Sequence, residues 1–162
     1  MKDLAMISYL TNKLGPLYQT KLYKLLFYID FLYYKYHNSS ITWCTYYKLP
    51  YWPVPLAIKT KVDCVIANSD IEDSEIKKAI WEYKKYLNIN KTEDSNKYTI
   101  FWTFHEEKLL TQDEISVINY VIEKIGSLWT SRIVSKSHAE KAYTMTTMFQ
   151  PIFYGLSDSL NI

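Results

Sequence analysis

The chain has 162 residues, 19 of them basic and 17 acidic, for a net charge of +2. That length fits one domain able to bury its own core, and the charge is too balanced to argue for nucleic acid or another polyanion as partner. Hydrophobic residues make up 48% of the chain, which excludes disorder, yet no apolar run reaches the ~18 residues a membrane helix needs.

Residues 3–14 read as a short helix with Leu4, Ile7 and Leu10 on one face, stopped by Gly15-Pro16. The strongest helix follows over residues 18–37. Leu22, Leu25, Leu26, Ile29, Leu32, Tyr33 and Tyr36 keep the i, i+3, i+4, i+7 spacing, while Tyr23, Phe27, Tyr28, Phe31 and Tyr34 fill the opposite side. A helix apolar all round is central or covered on both faces. Asp30 sits in the middle of it. An unpaired carboxylate there would be costly, so Asp30 either reaches the helix edge, bonds a partner such as a tyrosine hydroxyl, or makes a functional contact. Asn38-Ser39-Ser40 closes the helix as a turn.

Residues 41–48 are β-branched and aromatic and read as extended. "LPYWPVP", residues 49–55, then places three prolines within six positions. Pro50-x-x-Pro53 fits a P-x-x-P pattern, but its Tyr, Trp and Val neighbours suit a buried corner better than an exposed docking peptide. Ile58, Thr60, Val62, Cys64 and Ile66 alternate with Lys59, Lys61, Asp63 and Val65, which predicts a half-buried strand. Residues 68–70 break it. Residues 74–87 return to helical spacing, and residues 88–96 read as an exposed polar loop. Residues 98–105 predict a strand that could pair with residues 57–66 across the intervening helix. Thr111-x-x-Glu114 is a capping-box pattern opening a helix that Gly126 ends from the C′ position. A short helix over residues 128–135 follows. Ser137-x-x-Glu140 reads as a second capping box, opening a helix as far as Met148. There is no internal repeat and no linker. The expectation is therefore a single domain over residues 1–162, mainly α (α+β), a compact helical domain with a small antiparallel β element.

Motifs for chemistry are sparse. With three glycines and no Gly-rich turn, neither a P-loop nor a dinucleotide fingerprint is present. Cys44 and Cys64 make no C-x-x-C and have no partner at metal spacing, which fits a reduced, cytoplasmic protein. His37, His105 and His138 are scattered. His138-Ala139-Glu140 matches the H-x-E half of a zinc deaminase signature, but the P-C-x-x-C half is missing. No catalytic residue, metal or cofactor is therefore expected. An enzyme would need His138, Asp30 and a cysteine to converge in space. What stands out is 16 tyrosines and five tryptophans, residue types that concentrate in protein interfaces.

Two blocks resemble a known family. "KLYKLLFYIDFLYYKYHNSSIT" followed by "YYKLPYWPVP" is similar to the opening of the Panacea domain of SocA-like antitoxins. The matching positions include Lys24, Tyr28, Asp30, Thr42, Tyr46, Pro53, Val54 and Pro55. The later stretch "VIEKIGSLWTSRIVSKSHAEKAY" resembles that family's second block through Ser137, His138, Glu140 and Ala142, with Tyr143 where the family has Trp. Trp43 and Trp52 stand where the family has glycines, and residues 56–107 carry no part of the resemblance.

The resemblance implies an antitoxin, not an enzyme, that binds a cognate toxin encoded by an adjacent gene and neutralises it by direct contact. Relatives meet toxins of several kinds, and one branch delivers its toxin to a protease as an adaptor. Many carry an added DNA-binding helix-turn-helix, for which this chain has no room. Candidate partner contacts are Trp43, Tyr46, Tyr47, Tyr51 and Trp52, with His138 and Tyr143 as a second patch. Self-association stays open.

Overall fold

The computed structural model describes residues 1–50, 52–69, 73–92, 97–102 and 107–162. Its axis is α2 (Gln19–His37), whose residues 22–32 are all buried. This is the central helix that its all-round apolar sequence predicts. Asn38 ends it in the left-handed conformation, φ 51°, which asparagine tolerates better than most residues. Before it in the chain, α1 (Lys2–Leu14) buries residues 3–11 and stops at Gly15, φ 75°. Against α2 pack α5 (Gln112–Val121) and α6 (Thr130–Ala139), and α5 is tied to α1 by the Tyr9 hydroxyl, which donates to Asn119 (3.0 Å). The mainly α expectation with a small antiparallel β element holds.

The capping box at Thr111 and Glu114 forms with both of its reciprocal bonds. Gly126 does not stop the helix as a C′ residue. The chain continues as a π-helical turn, Ile122–Gly126, and Gly126 is buried. A Cβ there would lie 3.3 Å from the Leu14 side chain, so the glycine serves close packing against α1. The second capping box does not form either. The Ser137 hydroxyl donates to the Val134 carbonyl inside α6, and only a short α7 (Lys141–Thr144) follows. The Glu140 side chain, instead of capping, accepts from the Tyr28 hydroxyl (3.0 Å) and the Asn161 N–H (3.0 Å).

The alternating run at residues 58–66 is not a strand. It forms α3 (Leu56–Ala67), ended by a left-handed Asn68. Ile58 and Val62 are its buried pair, four residues apart, so the i, i+4 spacing hidden in the run prevails over the period of two. α4 (Ser74–Tyr86) starts on Asp73, whose carboxylate accepts from the Glu75 and Ile76 N–H groups, an N-cap of the usual kind.

Part of the expected polar loop is strand. β4 (Leu87–Lys91) pairs antiparallel with β5 (Tyr98–Trp102), and β5 pairs on its other edge with β1 (Leu17–Tyr18). The predicted partner, residues 57–66, is the helix α3, so that pairing does not exist. The end of the predicted strand, residues 103–105, lies outside the described residues, as does the end of the predicted loop.

The proline stretch is half of a β-hairpin. β2 (Tyr46–Leu49) pairs with β3 (Trp52–Pro55) in the register Tyr46↔Pro55, Tyr47↔Val54, Lys48↔Pro53, Leu49↔Trp52. On its other edge β2 takes residues 149–152. Lys48 N–H donates to the Gln150 carbonyl (3.0 Å), and the Tyr46 carbonyl accepts from Ile152 N–H (2.7 Å). Hydrogen-bonding groups alternate sides along a strand. Residues opposite Tyr46 and Lys48 would therefore turn their N–H groups away from β2, and these residues are Pro55 and Pro53. The prolines cost the hairpin nothing and blunt its outer edge against a further strand. Pro53, Val54 and Pro55 are buried, so the buried corner holds for this half of the stretch, while Pro50 is exposed.

Residues 149 and 150 together oppose Lys48, because the Lys48 carbonyl also accepts from Phe149 N–H (2.7 Å). Two residues against one is a β-bulge. Phe149, φ 65°, fills the left-handed position that glycine ordinarily takes in such a bulge.

Candidate surface site for a protein partner

Asp30 organises the site from inside. It is fully buried, and it accepts from Ile41 N–H (2.9 Å), Thr42 N–H (3.0 Å), the Thr42 hydroxyl and the Tyr46 hydroxyl (2.8 Å). The predicted tyrosine partner is thus Tyr46. Burial pushes the Asp30 carboxyl up to about 6 against the pull of these donors, so it is largely ionised at neutral pH. One carboxylate in the central helix pins the loop over residues 41–46 at four points. Charge-assisted bonds of this kind are worth about twice a neutral one.

At the outer end of that loop stands Trp43. Its backbone is left-handed, φ 58°, and its N–H donates to the Ser40 hydroxyl (3.1 Å). Its residue surface is 78% exposed. The position keeps the conformation a glycine would favour although a tryptophan occupies it. A left-handed L-residue costs about 1–2 kcal/mol, and no burial of the ring offsets that cost.

Trp43 borders a groove of about 950 Å³ between the start of α1, the 41–45 loop, α3 and α4. Tyr47 contributes to its wall, and Leu56 and Ile76 add exposed apolar surface. The cations around it are matched within the chain. Lys61 pairs with Asp3 (3.1 Å) and Lys2 with Glu114. Asp3 also accepts from the Tyr83 hydroxyl (2.6 Å). Burial raises the Asp3 carboxyl, but Lys61, the Met1 amine and Tyr83 outweigh it and hold the group down at about 2.

The predicted contacts divide sharply. Tyr46 is not at the surface: it is fully buried, with its ring edge-on to Phe27 and Phe31. Its hydroxyl on Asp30 makes it part of the support. Tyr47 is half-buried on the groove wall. Tyr51 lies outside the described residues, and of Trp52 only the backbone in β3 is described. His138 is half-buried and stacks on the buried Tyr143 at 4.6 Å. The Tyr143 hydroxyl donates to the Leu49 carbonyl (2.9 Å), which brings the second predicted patch onto the end of β2. Lys48 closes that side, its ammonium over the Tyr143 ring at 4.6 Å and bonded to the Thr146 carbonyl (2.9 Å).

The other motif residues of α2 and of the α6–α7 junction lie inside the fold. Lys24 is fully buried on α2, and burial draws its amine down to about 6. Tyr28 and Glu140 join α2 to the junction of α6 and α7, and Ser137 is buried beside them. Cys44 is buried, and burial pushes its thiol up to about 11, which leaves little thiolate at neutral pH. Among the described residues, no three of His, Cys, Asp and Glu lie together as a metal site. No helix among the described residues is long and apolar enough to cross a membrane.

Sequence reasoning missed Leu56 and Ile76 as groove residues. It read the first segment as leading into a strand, and exposure on one face of a helix is not a property of spacing alone. It also passed over Phe149, which no motif marks.

Comparison with known families places a match over residues 22–143, to the family described as antitoxin SocA-like, Panacea domain. The match runs through residues 56–107, where the two recognisable blocks have nothing. No curated protein and no solved structure matches the chain significantly.

Proposed function

The chain belongs to the SocA-like antitoxin family with its Panacea domain, and on that premise we propose that it neutralises a protein toxin by binding it directly. The toxin is the product of an adjacent gene, and the encounter takes place in the cytoplasm without nucleic acid. The contact surface is the groove beside Trp43, with Tyr47 on its wall.

The observation that carries this reading is Trp43 itself: a large aromatic, exposed, in a strained backbone, on a loop pinned from the core by Asp30. Strain and exposure both cost the free protein. Backbone outliers of this kind cluster where a surface has a task, and tryptophan is prominent among interface hot spots. Catalysis draws less support. Asp30 already takes four donors from its own loop, and the Cys44 thiol stays protonated at neutral pH.

The test is co-expression with the neighbouring gene. Expression of that gene alone arrests growth, this chain restores it, and Trp43→Ala fails to restore it while still accumulating as a folded protein. A neighbour that is harmless alone, or that still arrests growth beside the wild-type chain, contradicts the reading. The toxin's level separates two routes. A stable toxin in complex indicates blockade, and a vanishing toxin indicates delivery to a protease.

A further inference from the structure

The two β elements treat their outer edges in opposite ways. In the hairpin, Pro53 and Pro55 stand where an N–H would face away from β2, so β3 offers no donor there. The other sheet has the order β1-β5-β4, which leaves β4 at its margin. Thr92 N–H donates to the Lys97 carbonyl (3.0 Å), one step beyond the pair Lys91↔Tyr98. Bonded and unbonded pairs alternate along antiparallel strands. Asn88 and Asn90 therefore turn their N–H and C=O groups to β5, and Leu87, Ile89 and Lys91 turn theirs away from it. Leu87 N–H is taken by the Tyr83 carbonyl at the end of α4. The Ile89 and Lys91 groups make no backbone bond among the described residues.

A groove of about 380 Å³ accompanies this margin. Every residue of β4 lines it, together with Val65 and Ile66 from the end of α3. Successive side chains of a strand point to opposite faces, so a groove that touches all of them follows the edge. Lys84 and Lys91 line it too, and no carboxylate does among the described residues. Lys84 donates to the Asn68 side-chain oxygen, a neutral partner. Lys91 is exposed and has no ion pair among the described residues. On the flanking α3, Asp63 is already held by Lys59 and Gln19.

We propose that the margin of β4 takes an extended acidic segment of the protein partner as a fourth strand. This rests on the antitoxin reading and gives the partner a second contact, away from the groove beside Trp43. Strand addition completes an open edge with main-chain bonds and draws its specificity from alternate side chains. Leu87, Ile89 and Lys91 share one face, so the segment meets them with alternate residues of its own. A carboxylate opposite Lys91 makes a cross-strand pair of opposite charge. An apolar residue suits Ile89, and a second carboxylate, opposite Leu87, meets Lys84 in the shared groove. A second copy of this chain fits poorly. Two β4 strands paired antiparallel about Ile89 would set each Lys91 opposite Leu87 of the other copy, beside its Lys84, and bring like charges together. A nucleic acid has no peptide groups with which to extend the ladder.

Amide exchange followed by NMR reads the ladder directly. In the free chain Asn88 and Asn90 are protected and Ile89 and Lys91 exchange fast. The purified product of the neighbouring gene is expected to slow Ile89 and Lys91 by about tenfold or more. Binding without that slowing overturns the proposal and leaves the antitoxin reading standing. Ile89→Ala and Ile89→Pro both lose the side chain, but only proline also loses the outward donor. By calorimetric titration the proline variant is expected to bind about tenfold more weakly than the alanine variant, and Lys91→Glu about tenfold more weakly than the wild-type chain. Equal affinities in either comparison overturn the proposal. If Ile89→Pro does not fold, the exchange pattern and Lys91→Glu decide. Self-association of the wild-type chain that protects the same two amides overturns it as well, since the edge then belongs to a second copy. A wild-type chain that leaves the neighbouring product unbound ends the toxin reading, and a blocked peptide, Thr-Glu-Thr-Val-Thr-Glu-Thr, then decides the edge. Protection of Ile89 and Lys91 by this peptide, and not by its counterpart with lysine for glutamate, upholds the acidic strand. Protection by neither, or equally by both, overturns it.

Discussion

Two buried ionisable side chains at the residue scale show how differently one helix can treat such groups. Asp30 is satisfied by four donors and stays largely ionised, and it fixes the loop that carries Trp43. Lys24 is buried six residues earlier with its amine drawn down to about 6. In the unfolded chain the amine keeps lysine's ordinary value of 10.5. Between those two values the unfolded state holds a proton that the folded state lacks. Unfolding then takes up a proton, so stability rises with pH across this window and falls as pH drops toward 6, by up to about 1.4 kcal/mol per pH unit. Denaturant titrations from pH 7 to 9 should show this rise in the wild-type chain and a flatter profile in Lys24→Met. Parallel profiles would mean that Lys24 is charged in the fold. Asp30 was legible in the sequence as a carboxylate that must reach the helix edge or find a partner such as a tyrosine hydroxyl, whereas its bonds to Ile41 and Thr42 depend on a loop that no spacing announces. Left-handed backbone at Trp43 was hinted at only by the glycine the family keeps there. At Phe149 no signal existed, since the bulge arises from pairing residues about a hundred positions apart.

Local spacing identified the helices with dense, one-period patterns and failed where a segment carried two periods at once. α2 could be read directly from its sequence because its apolar residues cover every face. In α3, Ile58, Val62 and Ile66 satisfy a helix, while Ile58, Thr60, Val62, Cys64 and Ile66 satisfy a strand. Only tertiary packing decides, and it buries Ile58 and Val62 and leaves Thr60 exposed. Ile58→Ala should accordingly cost about 3 kcal/mol, while Thr60→Ala should stay within about 0.5 kcal/mol, as exposed sites do. Equal losses at both positions in chemical denaturation would restore the strand. β4 was hidden for another reason. Its Asn88 and Asn90 are exposed and its partner β5 is supplied from outside the segment. The two capping-box patterns make the same point. Thr111 and Glu114 close theirs, whereas Glu140 is taken by Tyr28 and Asn161, distant groups that no local pattern names.

For the whole molecule, the central helix, the hairpin and the tail form one continuous support. Asp30 reaches from α2 to the 41–46 loop, Tyr154 stacks on Phe31 and donates to the Cys44 carbonyl, and residues 149–152 lie along β2. Aromatic residues exposed on so well-braced a scaffold meet a partner with little ordering left to do, which favours tight binding. The direct measurement is a calorimetric titration of the purified neighbouring gene product into this chain and into Trp43→Ala. The account predicts saturable binding to the wild-type chain and, for a hot-spot tryptophan worth about 2 kcal/mol, affinity roughly thirtyfold weaker in the variant. No binding by the wild-type chain, or equal affinity in the two, would contradict it.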